Sequence, residues 1–204
     1  MFPDDRDGGV RIACEGDLDL PASVVTIGAF DGVHRGHQAL ISAAIRSARA
    51  LRLPAVVWTF DPLPKVLFAK ARPLTPRGER LARIAALGPD WIIVSRFTPS
   101  YAARSAERFL ASLAGIAPQQ VHVGGDFRFG AGQSGDIALL RTAFPVVVHG
   151  PVRCGAGQVV SSSRIRSLRD AGDEPAAAAL LDAPAGAFLA GLMMLTANPG
   201  CGDG

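Results

Sequence analysis

Between residues 23 and 151, short apolar runs rich in β-branched residues alternate with longer amphipathic stretches. This alternation constrains the fold more than any other feature, because consecutive parallel strands need a crossover connection that is usually a helix. The apolar runs predict five strands, at residues 23–29, 55–60, 91–94, 120–124 and 144–148. The stretches between them predict helices, of which residues 36–51 show the clearest apolar face. The sequence therefore predicts an α/β fold, a Rossmann-like doubly wound parallel sheet of about five strands with helices on both faces.

The predicted strands and two short helices after them would form one domain over residues 23–182. An N-terminal extension at residues 1–22 and a tail at residues 183–204 complete the expected organisation. A chain of 204 residues is long enough to bury one sizeable core. In a sheet of this kind, ligands bind beyond the carboxyl ends of the strands, and candidate site residues are therefore sought there.

Charge and composition exclude several classes of protein. The net charge of +3 is small, and no run of Lys or Arg marks a nucleic-acid-binding tail. No apolar run is long enough to span a bilayer, and the polar N-terminus does not resemble a signal peptide. The three cysteines, Cys14, Cys154 and Cys201, are far apart and form no CxxC pair, which argues against a zinc site or a disulfide framework. We expect reduced thiols, a cytoplasmic protein, and neither a nucleic-acid nor a membrane partner.

A glycine- and histidine-rich segment joins the first predicted strand to the first predicted helix. It reads GAFDGVHRGHQ, over residues 28–38. Gly28 and Gly36 allow the backbone to approach a ligand closely, and the free N–H groups at the helix start favour an anion. His34 and His37 can face the same ligand and donate hydrogen bonds to phosphate oxygens, and a polyanion would favour their charged form. Two unrelated histidines in a surface turn are the alternative interpretation.

A second polar segment, SSSRIR at residues 161–166, begins another predicted helix. Its hydroxyls could be helix caps and nothing more. Arg164 and Arg166 add guanidinium groups that bind phosphate through paired hydrogen bonds. Together with the histidine segment, this motif predicts a second clamp on a triphosphate.

These groups suit attack by a phosphate on a nucleotide. A phosphate nucleophile is already ionised, so the reaction needs charge neutralisation and in-line positioning rather than a strong general base. Histidines, arginine, a helix start and Mg²⁺ would supply both. The chain lacks GxxxxGK[ST], which excludes a P-loop enzyme.

Four segments resemble a known family in the same order. GAFDGVHRGH and SSSRIR resemble the His-x-Gly-His signature and the SSTxIR motif of the nucleotidyltransferase superfamily. VGGDFRFG at residues 123–130, and TFDPLP at residues 59–64, resemble the VGxDFxFG and TFDPHP segments of prokaryotic FAD synthetases. The resemblance covers about residues 23–182. It implies an FMN adenylyltransferase that transfers AMP from ATP to FMN, giving FAD and pyrophosphate, with Mg²⁺ accompanying ATP. The family's riboflavin kinase domain has no counterpart here, so we expect no phosphorylation of riboflavin.

The resemblance also implies roles for individual residues. The catalytic residues would be His34, His37 and Arg166. The ATP-binding residues would be Gly28, Phe30, Asp31, His34, Gly36, His37, Ser162, Ser163 and Arg166. The flavin-binding residues would be Phe60, Asp61, Pro62, Asp126, Phe127 and Phe129. Neither the ligands of a metal ion nor an oligomeric state follows from the sequence.

Several of these assignments have competing interpretations. Phe127 and Phe129 could be ordinary core residues, and Asp126 and Asp31 could be turn formers. Leu63 replaces the family's histidine in TFDPHP, and Gly125 stands where an acidic residue is common. These departures keep two alternatives open: a divergent nucleotidyltransferase acting on another phosphomonoester, or a catalytically weak flavin- or nucleotide-binding module.

Overall fold

The computed structural model describes residues 9–181, 191–193 and 195–196. Within these residues, seven strands form one sheet in the order β6-β5-β2-β3-β4-β1-β7, and every pairing is parallel. The strands are β1 (Val10–Cys14), β2 (Ser23–Ile27), β3 (Ala55–Asp61), β4 (Trp91–Arg96), β5 (Pro118–Gly124), β6 (Val146–His149) and β7 (Leu195–Thr196). The predicted α/β class and parallel sheet are confirmed.

Helices cover both faces of the sheet. They are α1 (Arg35–Leu51), α2 (Pro64–Ala69), α3 (Arg77–Ala85), α4 (Pro99–Ala102), α5 (Ala106–Ala114), α6 (Ile137–Ala143), α7 (Ser162–Asp170) and α8 (Glu174–Leu181). No helix within the described residues is long and apolar enough to cross a membrane.

Alternation along the strands builds a separate core on each face. On β3, Val56 and Trp58 pack in the cluster that contains Phe109 of α5, whereas Val57 packs in the cluster that contains Ile84 of α3. Successive side chains of a strand point to opposite faces, so a strand that is apolar throughout can serve both cores. The indole of Trp58 contacts Phe109 edge-on, with 6.1 Å between the ring centroids.

The strand order reverses beside β2, and this reversal places the site. The chain runs from β2 to β3 and β4 in one direction, and then returns to the other side of β2 as β5. Such a reversal opens a crevice beyond the carboxyl ends of the two central strands. The histidine segment follows β2, and Asp126 follows β5, so both lie at this end of the sheet.

The strand count was predicted two too low. Val10–Cys14 lies in the predicted N-terminal extension, yet it pairs with β4 over four residues as β1. Leu195–Thr196 lies in the tail, where no element was expected, and pairs with β1 as β7. Both lie on the outer side of the sheet; β1 is interrupted by Arg11, and β7 has only two residues, so neither forms a recognisable apolar run. Of the rest of the tail, the structure describes only residues 191–193, which are helical.

The cysteine expectation is wrong in one respect. Cys14, at the end of β1, is disulfide-bonded. Cys154 has a free, partly buried thiol. Separation along a chain carries no information about distance in the fold, which is why the spacing of the cysteines misled the prediction.

Candidate nucleotide-binding site

The histidine segment forms a tight turn between β2 and α1. His34 caps α1, and its Nδ1 accepts a hydrogen bond from the backbone N–H of His37 at 3.3 Å. A side-chain acceptor at this position is usually supplied by Ser, Thr, Asp or Asn. Phe30 and Val33 adopt positive φ angles of 49° and 46° in the same turn. Left-handed backbone at non-glycine residues is strained, and such strain is concentrated at functional sites.

The two imidazoles are stacked on each other. The ring centroids of His34 and His37 lie 3.6 Å apart with an interplanar angle of 17°, and Phe30 contacts His37 edge-on at 5.3 Å. A Cβ atom at Gly36 would come within 3.2 Å of two atoms of the His34 ring. The stack therefore leaves little room for any larger residue at position 36.

Burial keeps both imidazoles neutral when no anion is present. It lowers the pKa of His34 to about 4. Burial also lowers the pKa of His37 well below its ordinary value, and the charge of His34 lowers it further. The expected charged form therefore needs the phosphates themselves. Because Nδ1 of His34 is an acceptor, its proton lies on Nε2, where it can be donated to a ligand. Nδ1 of His37 is buried and has no hydrogen-bond partner among the described residues.

Asp31 joins the histidine segment to α7. Its carboxylate is buried, and Oδ1 accepts a hydrogen bond from the backbone N–H of Leu74 at 2.8 Å. Oδ2 forms an ion pair with Nη2 of Arg166. The hydroxyl of Ser162 donates to the backbone carbonyl of Asp31 at 3.2 Å. Asp31 is therefore more than a turn former, because it brings two of the predicted ATP-binding residues to the histidine pair.

The remaining residues of SSSRIR have different surroundings. Ser161 caps α7 by accepting from the backbone N–H of Arg164. The guanidinium of Arg164 turns away to Sγ of Cys154, at 3.2 Å. Ser163 is exposed and accepts a hydrogen bond from Nζ of Lys65 at 3.2 Å. Sequence reasoning missed Lys65, since a single exposed lysine carries no pattern.

The predicted flavin side contains a cluster of aromatic rings at the carboxyl ends of β3 and β4. We define the aromatic cluster as Phe60, Phe68, Phe97 and Tyr101. Phe60 contacts Phe97 and Tyr101 edge-on, at centroid distances of 5.6 Å and 6.2 Å. Phe68 is 63% exposed, which is high for a phenylalanine and leaves apolar surface available. Of these four rings only Phe60 was predicted as a flavin-binding residue, because no sequence motif assigns a role to the other three.

Asp61 and Pro62 follow Phe60 and are joined to each other by a cis peptide bond. The carboxylate of Asp61 forms ion pairs with Arg77 at 3.2 Å and with the buried Arg80 at 3.1 Å. Arg80 also donates to the carbonyl of Phe60 at 2.9 Å. These contacts fix the turn that presents Phe60, although no sequence pattern indicates that Arg80 is buried.

The segment after β5 contributes mostly to the core. Phe129 is buried and packs on Phe109 with 5.2 Å between the ring centroids, as in the core-packing interpretation. Phe127 is half-buried and stacks on Phe129 at 5.6 Å, whereas Asp126 is exposed. Their roles toward a flavin stay predictions.

Leu63, which replaces the family's histidine, is buried. A buried apolar side chain therefore occupies the position where the family has an imidazole.

The described residues contain no group of three or more His, Cys, Asp or Glu side chains that could hold a metal ion. Asp31 and Asp61, two carboxylates among the predicted site residues, are both paired with arginines. Mg²⁺ usually keeps several waters and binds through substrate phosphates and one or two carboxylates. This donor set fits a magnesium ion that arrives on the phosphates of ATP.

A doubly wound sheet with a histidine pair, an arginine and two helix starts at the carboxyl ends of its strands is the architecture of an α/β nucleotidyltransferase. The comparison with protein families agrees with this class. The family model described as FAD synthetase matches residues 17–164, and the chain belongs to the FAD synthetase family. Its members make FAD from FMN and ATP.

Individual relatives support the same family. A Geobacillus thermodenitrificans protein named "Putative bifunctional riboflavin kinase/FMN adenylyltransferase" is 46% identical over 82% of this chain and 93% of its own length. The bifunctional riboflavin kinase/FMN adenylyltransferase of Escherichia coli K12 is 38% identical over 70% of this chain, which spans 49% of that protein. An FAD synthetase of Listeria monocytogenes is 31% identical over 81% of this chain and 71% of its own length.

The fold also has a counterpart among solved structures. A Streptococcus pneumoniae protein described as a macrolide-efflux protein superimposes with a TM-score of 0.74 and 28% identity. The similarity covers 85% of this chain and 60% of the other. It supports the fold.

Proposed function

We propose that this chain is an FMN adenylyltransferase, which transfers AMP from Mg-ATP to FMN and releases pyrophosphate. The observation that carries the proposal is the contact of Asp31 with both Arg166 and Ser162. It unites the two phosphate-binding motifs in one site. Family membership supplies the pair of substrates.

ATP would lie with its triphosphate between the starts of α1 and α7. Nε2–H of His34 and the guanidinium of Arg166 can donate hydrogen bonds to phosphate oxygens, and Ser162 and Ser163 add hydroxyls. Negative charge on the triphosphate raises the pKa of both imidazoles, so binding favours their protonated form. The site would then carry more positive charge when ATP is present than when it is absent.

The reaction exchanges one phosphate bond for another. A phosphate oxygen of FMN forms a bond to the α-phosphorus of ATP, and the bond from that phosphorus to the oxygen bridging to the β-phosphate breaks. Pyrophosphate leaves with the electron pair of that bond. The histidines and Arg166 neutralise charge on the leaving group, and no general base is needed because the attacking oxygen is already ionised. Mg²⁺, bound to the triphosphate, would add to this neutralisation.

The flavin would lie at the carboxyl ends of β3 and β4. A planar ring system binds best against apolar and aromatic walls, and the aromatic cluster with Pro62 provides such a wall. Asp126 is exposed at the end of β5 and stays a predicted contact of the phosphates. ATP is a substrate of the proposed reaction, and the need for ATP favours the predicted cytoplasmic location.

The test is a chromatographic assay of purified protein with Mg-ATP and FMN. We expect FAD and pyrophosphate in equal amounts. Riboflavin in place of FMN tests the expectation that this chain does not phosphorylate riboflavin. His37→Ala should lower the rate by about 10²–10³-fold, as loss of a group that stabilises developing charge usually does.

The matched control is His149→Ala, because the ring of His149 stacks on His122 rather than on the histidine pair, and His149 is not among the predicted site residues. It should retain the rate of the unmodified protein. Well-folded protein that forms no FAD would overturn the proposal. A panel of ATP and CTP with other phosphomonoesters would then test the divergent transferase that Leu63 and Gly125 leave open. FMN binding without turnover would instead indicate a binding module.

A further inference from the structure

Glu15 lies directly after β1, at the carboxyl end of the sheet. It precedes the residues 17–164 that match the family, so no family motif assigns it a role. Its side chain is only 13% exposed, which is unusual for a glutamate. A buried carboxylate is costly unless it is paired and hydrogen-bonded, and its partners therefore indicate what it does.

One oxygen of Glu15 is fixed by the central strands. The hydroxyl of Ser95 on β4 donates to Oε2 of Glu15 at 2.6 Å. The indole N–H of Trp58 on β3 donates in turn to Oγ of Ser95 at 2.7 Å. Trp58 and Ser95 are buried, so this chain of hydrogen bonds is held in place by the core.

The other oxygen of Glu15 holds an arginine. Nη1 of Arg104 donates to Oε1 of Glu15 at 2.9 Å. Cζ of Arg104 lies 4.3 Å from the ring centroid of Tyr101, which is a cation–π contact. The backbone carbonyl of Arg104 accepts a hydrogen bond from Ala131 at 2.7 Å, so the residue is anchored at both ends.

Tyr101 belongs to the aromatic cluster. Its ring lies 5.4 Å from Phe97 and 6.2 Å from Phe60. Burial raises the pKa of Tyr101 well above its ordinary value, and the Glu15 carboxylate contributes to the rise. The ring is therefore neutral at any working pH, and it contributes to the cluster through its faces and edges.

We propose that Glu15 is a positioning residue for the acceptor: through Arg104 it fixes the ring of Tyr101, and with it the aromatic cluster on which the planar part of the acceptor rests. The inference rests on the proposed function for the identity of that acceptor. It assigns a role to a residue that precedes the matched region. It also makes the ion pair of Glu15 with Arg104 the support of the aromatic cluster in the proposed flavin site. Glu15 acts through Arg104 and does not touch substrate.

The experiment compares Glu15→Gln with Arg104→Met and with the double variant. Glutamine still accepts from Ser95 but lacks the charge, and methionine can still cover Tyr101 but cannot pair with Glu15. Glu79→Gln is the matched control, because Glu79 is also partly buried and pairs with an arginine, Arg83, on α3. The readouts are KM for FMN, KM for ATP, quenching of FMN fluorescence on binding, and the thermal midpoint.

Each single variant should raise KM for FMN and weaken FMN binding by about five- to tenfold, the range expected for a partly desolvated cation–π contact with its ion pair. KM for ATP should stay within about twofold, and the double variant should be no worse than the worse single variant, since both changes break one interaction. A merely structural role would change both KM values and the thermal midpoint together, and that result would overturn the inference.

The proposed function and this inference fail in different ways. If the unmodified protein makes FAD and Glu15→Gln and Arg104→Met bind FMN normally, the inference alone is wrong. If the unmodified protein makes no FAD, the proposed function is wrong, and the fluorescence titration still decides whether Glu15 affects flavin binding. Should Glu15→Gln fail to fold, Arg104→Met carries the test, because position 104 lies in a half-exposed loop.

Discussion

The buried carboxylate of Asp31 pairs with the guanidinium of Arg166, although 135 positions separate the two residues in the chain. The pair holds the start of α7 beside the start of α1. Under the proposed function, two helix starts that each attract an anion weakly would thereby act on one ligand. Arg166 keeps a further contact, from Nε to the carbonyl of Arg72 at 3.2 Å, so its side chain is held from two directions.

Asp31→Asn should show what the ion pair with Arg166 contributes, because it removes the charge of Asp31 and keeps the hydrogen bond that positions the side chain. Asparagine can still accept from the N–H of Leu74, but it no longer pairs with Arg166. We expect kcat/KM for ATP to fall by roughly tenfold to a hundredfold, as small displacements of positioning groups do, with little change in stability. Steady-state kinetics and a urea titration measure the two effects.

Asp31→Ala completes that test. It also leaves the N–H of Leu74 and the guanidinium of Arg166 without their acceptor, and should cost about 2 kcal/mol of unfolding free energy in addition. Equal rates in the unmodified protein and Asp31→Asn would show that Arg166 does not need its partner.

Lys65→Gln should weaken ATP binding. Nζ of Lys65 reaches Oγ of Ser163, a predicted contact of the phosphates, and would lie near the triphosphate. Because the lysine is exposed, we expect only about a threefold to fivefold rise in KM for ATP. Raising the salt concentration should shrink the difference between variant and unmodified protein.

Lys70→Gln is the control for charge alone. Lys70 is also exposed and ends the same helix, α2, but it has no contact with Ser163 among the described hydrogen bonds. Its KM for ATP should be unchanged. The same rise in both variants would mean that net charge, rather than the contact with Ser163, is responsible.

Gly32→Ala should destabilise the protein more than Gly157→Ala. Both glycines have a φ of +74°, which costs an alanine about 1 kcal/mol in either place. A Cβ at Gly32 would also lie 2.7 Å from Leu181 and 3.1 Å from Leu74, whereas nothing lies within 4 Å at Gly157. Overpacking should add about 2 kcal/mol to the cost at Gly32. Chemical denaturation of the two variants measures the difference, and equal costs would show that Leu181 moves aside freely.

The stability of the protein should fall with acid, and His122 should account for part of the loss. His122 is buried on β5, and burial, with the charge of His149 adding to it, lowers its pKa to about 4. Between its unfolded pKa of about 6.5 and this value, the unfolded chain binds more protons than the folded one, so acid favours unfolding. Through this linkage, His122 alone should lower the free energy of unfolding by roughly 2 kcal/mol as the pH falls from 6.5 to 4.5.

His122→Gln should therefore flatten the pH dependence. Urea titrations at pH 7 and pH 4.5 give the free energy of unfolding that each protein loses between the two pH values. Comparing these two losses removes any effect of the substitution on stability that does not depend on pH. His34, whose pKa is also lowered to about 4, should keep contributing in the variant. An unchanged loss in His122→Gln would place the acid sensitivity elsewhere.

The fold was predictable where the sequence repeats a local pattern. The five predicted strands are all present, and helix α1 begins within one residue of its predicted start, because apolar runs and amphipathic stretches report burial directly. β1 was missed because VRIAC is short and flanked by polar residues. α2 and α4 span only 6 and 4 residues, too few for a helical period to show.

Sequence motifs were enough to name residues of the candidate site, but not to predict the contacts between them. GAFDGVHRGH and SSSRIR named the histidines, the serines and Arg166. The pairs of Asp31 with Arg166, Asp61 with Arg80 and Glu15 with Arg104 join segments that are distant in sequence. Such pairs produce no periodic pattern in a single sequence. Neither the ion pair of Asp31 nor the burial of Arg80 could therefore be predicted.

Helices α7 and α8 have a hydrophobic cluster of their own. Ile165, Ala177, Leu180 and Leu181 pack with Leu74 and Val160, separately from the clusters that line the sheet. A small cluster of this kind opens at lower free energy than the central strands, so its amides should exchange hydrogen for deuterium sooner. Since α7 carries Ser162 and Arg166, we expect mild denaturant to release one of the two predicted phosphate-binding motifs while the sheet stays intact. Under the proposed function, activity would then be lost reversibly at a denaturant concentration below the one that unfolds the sheet.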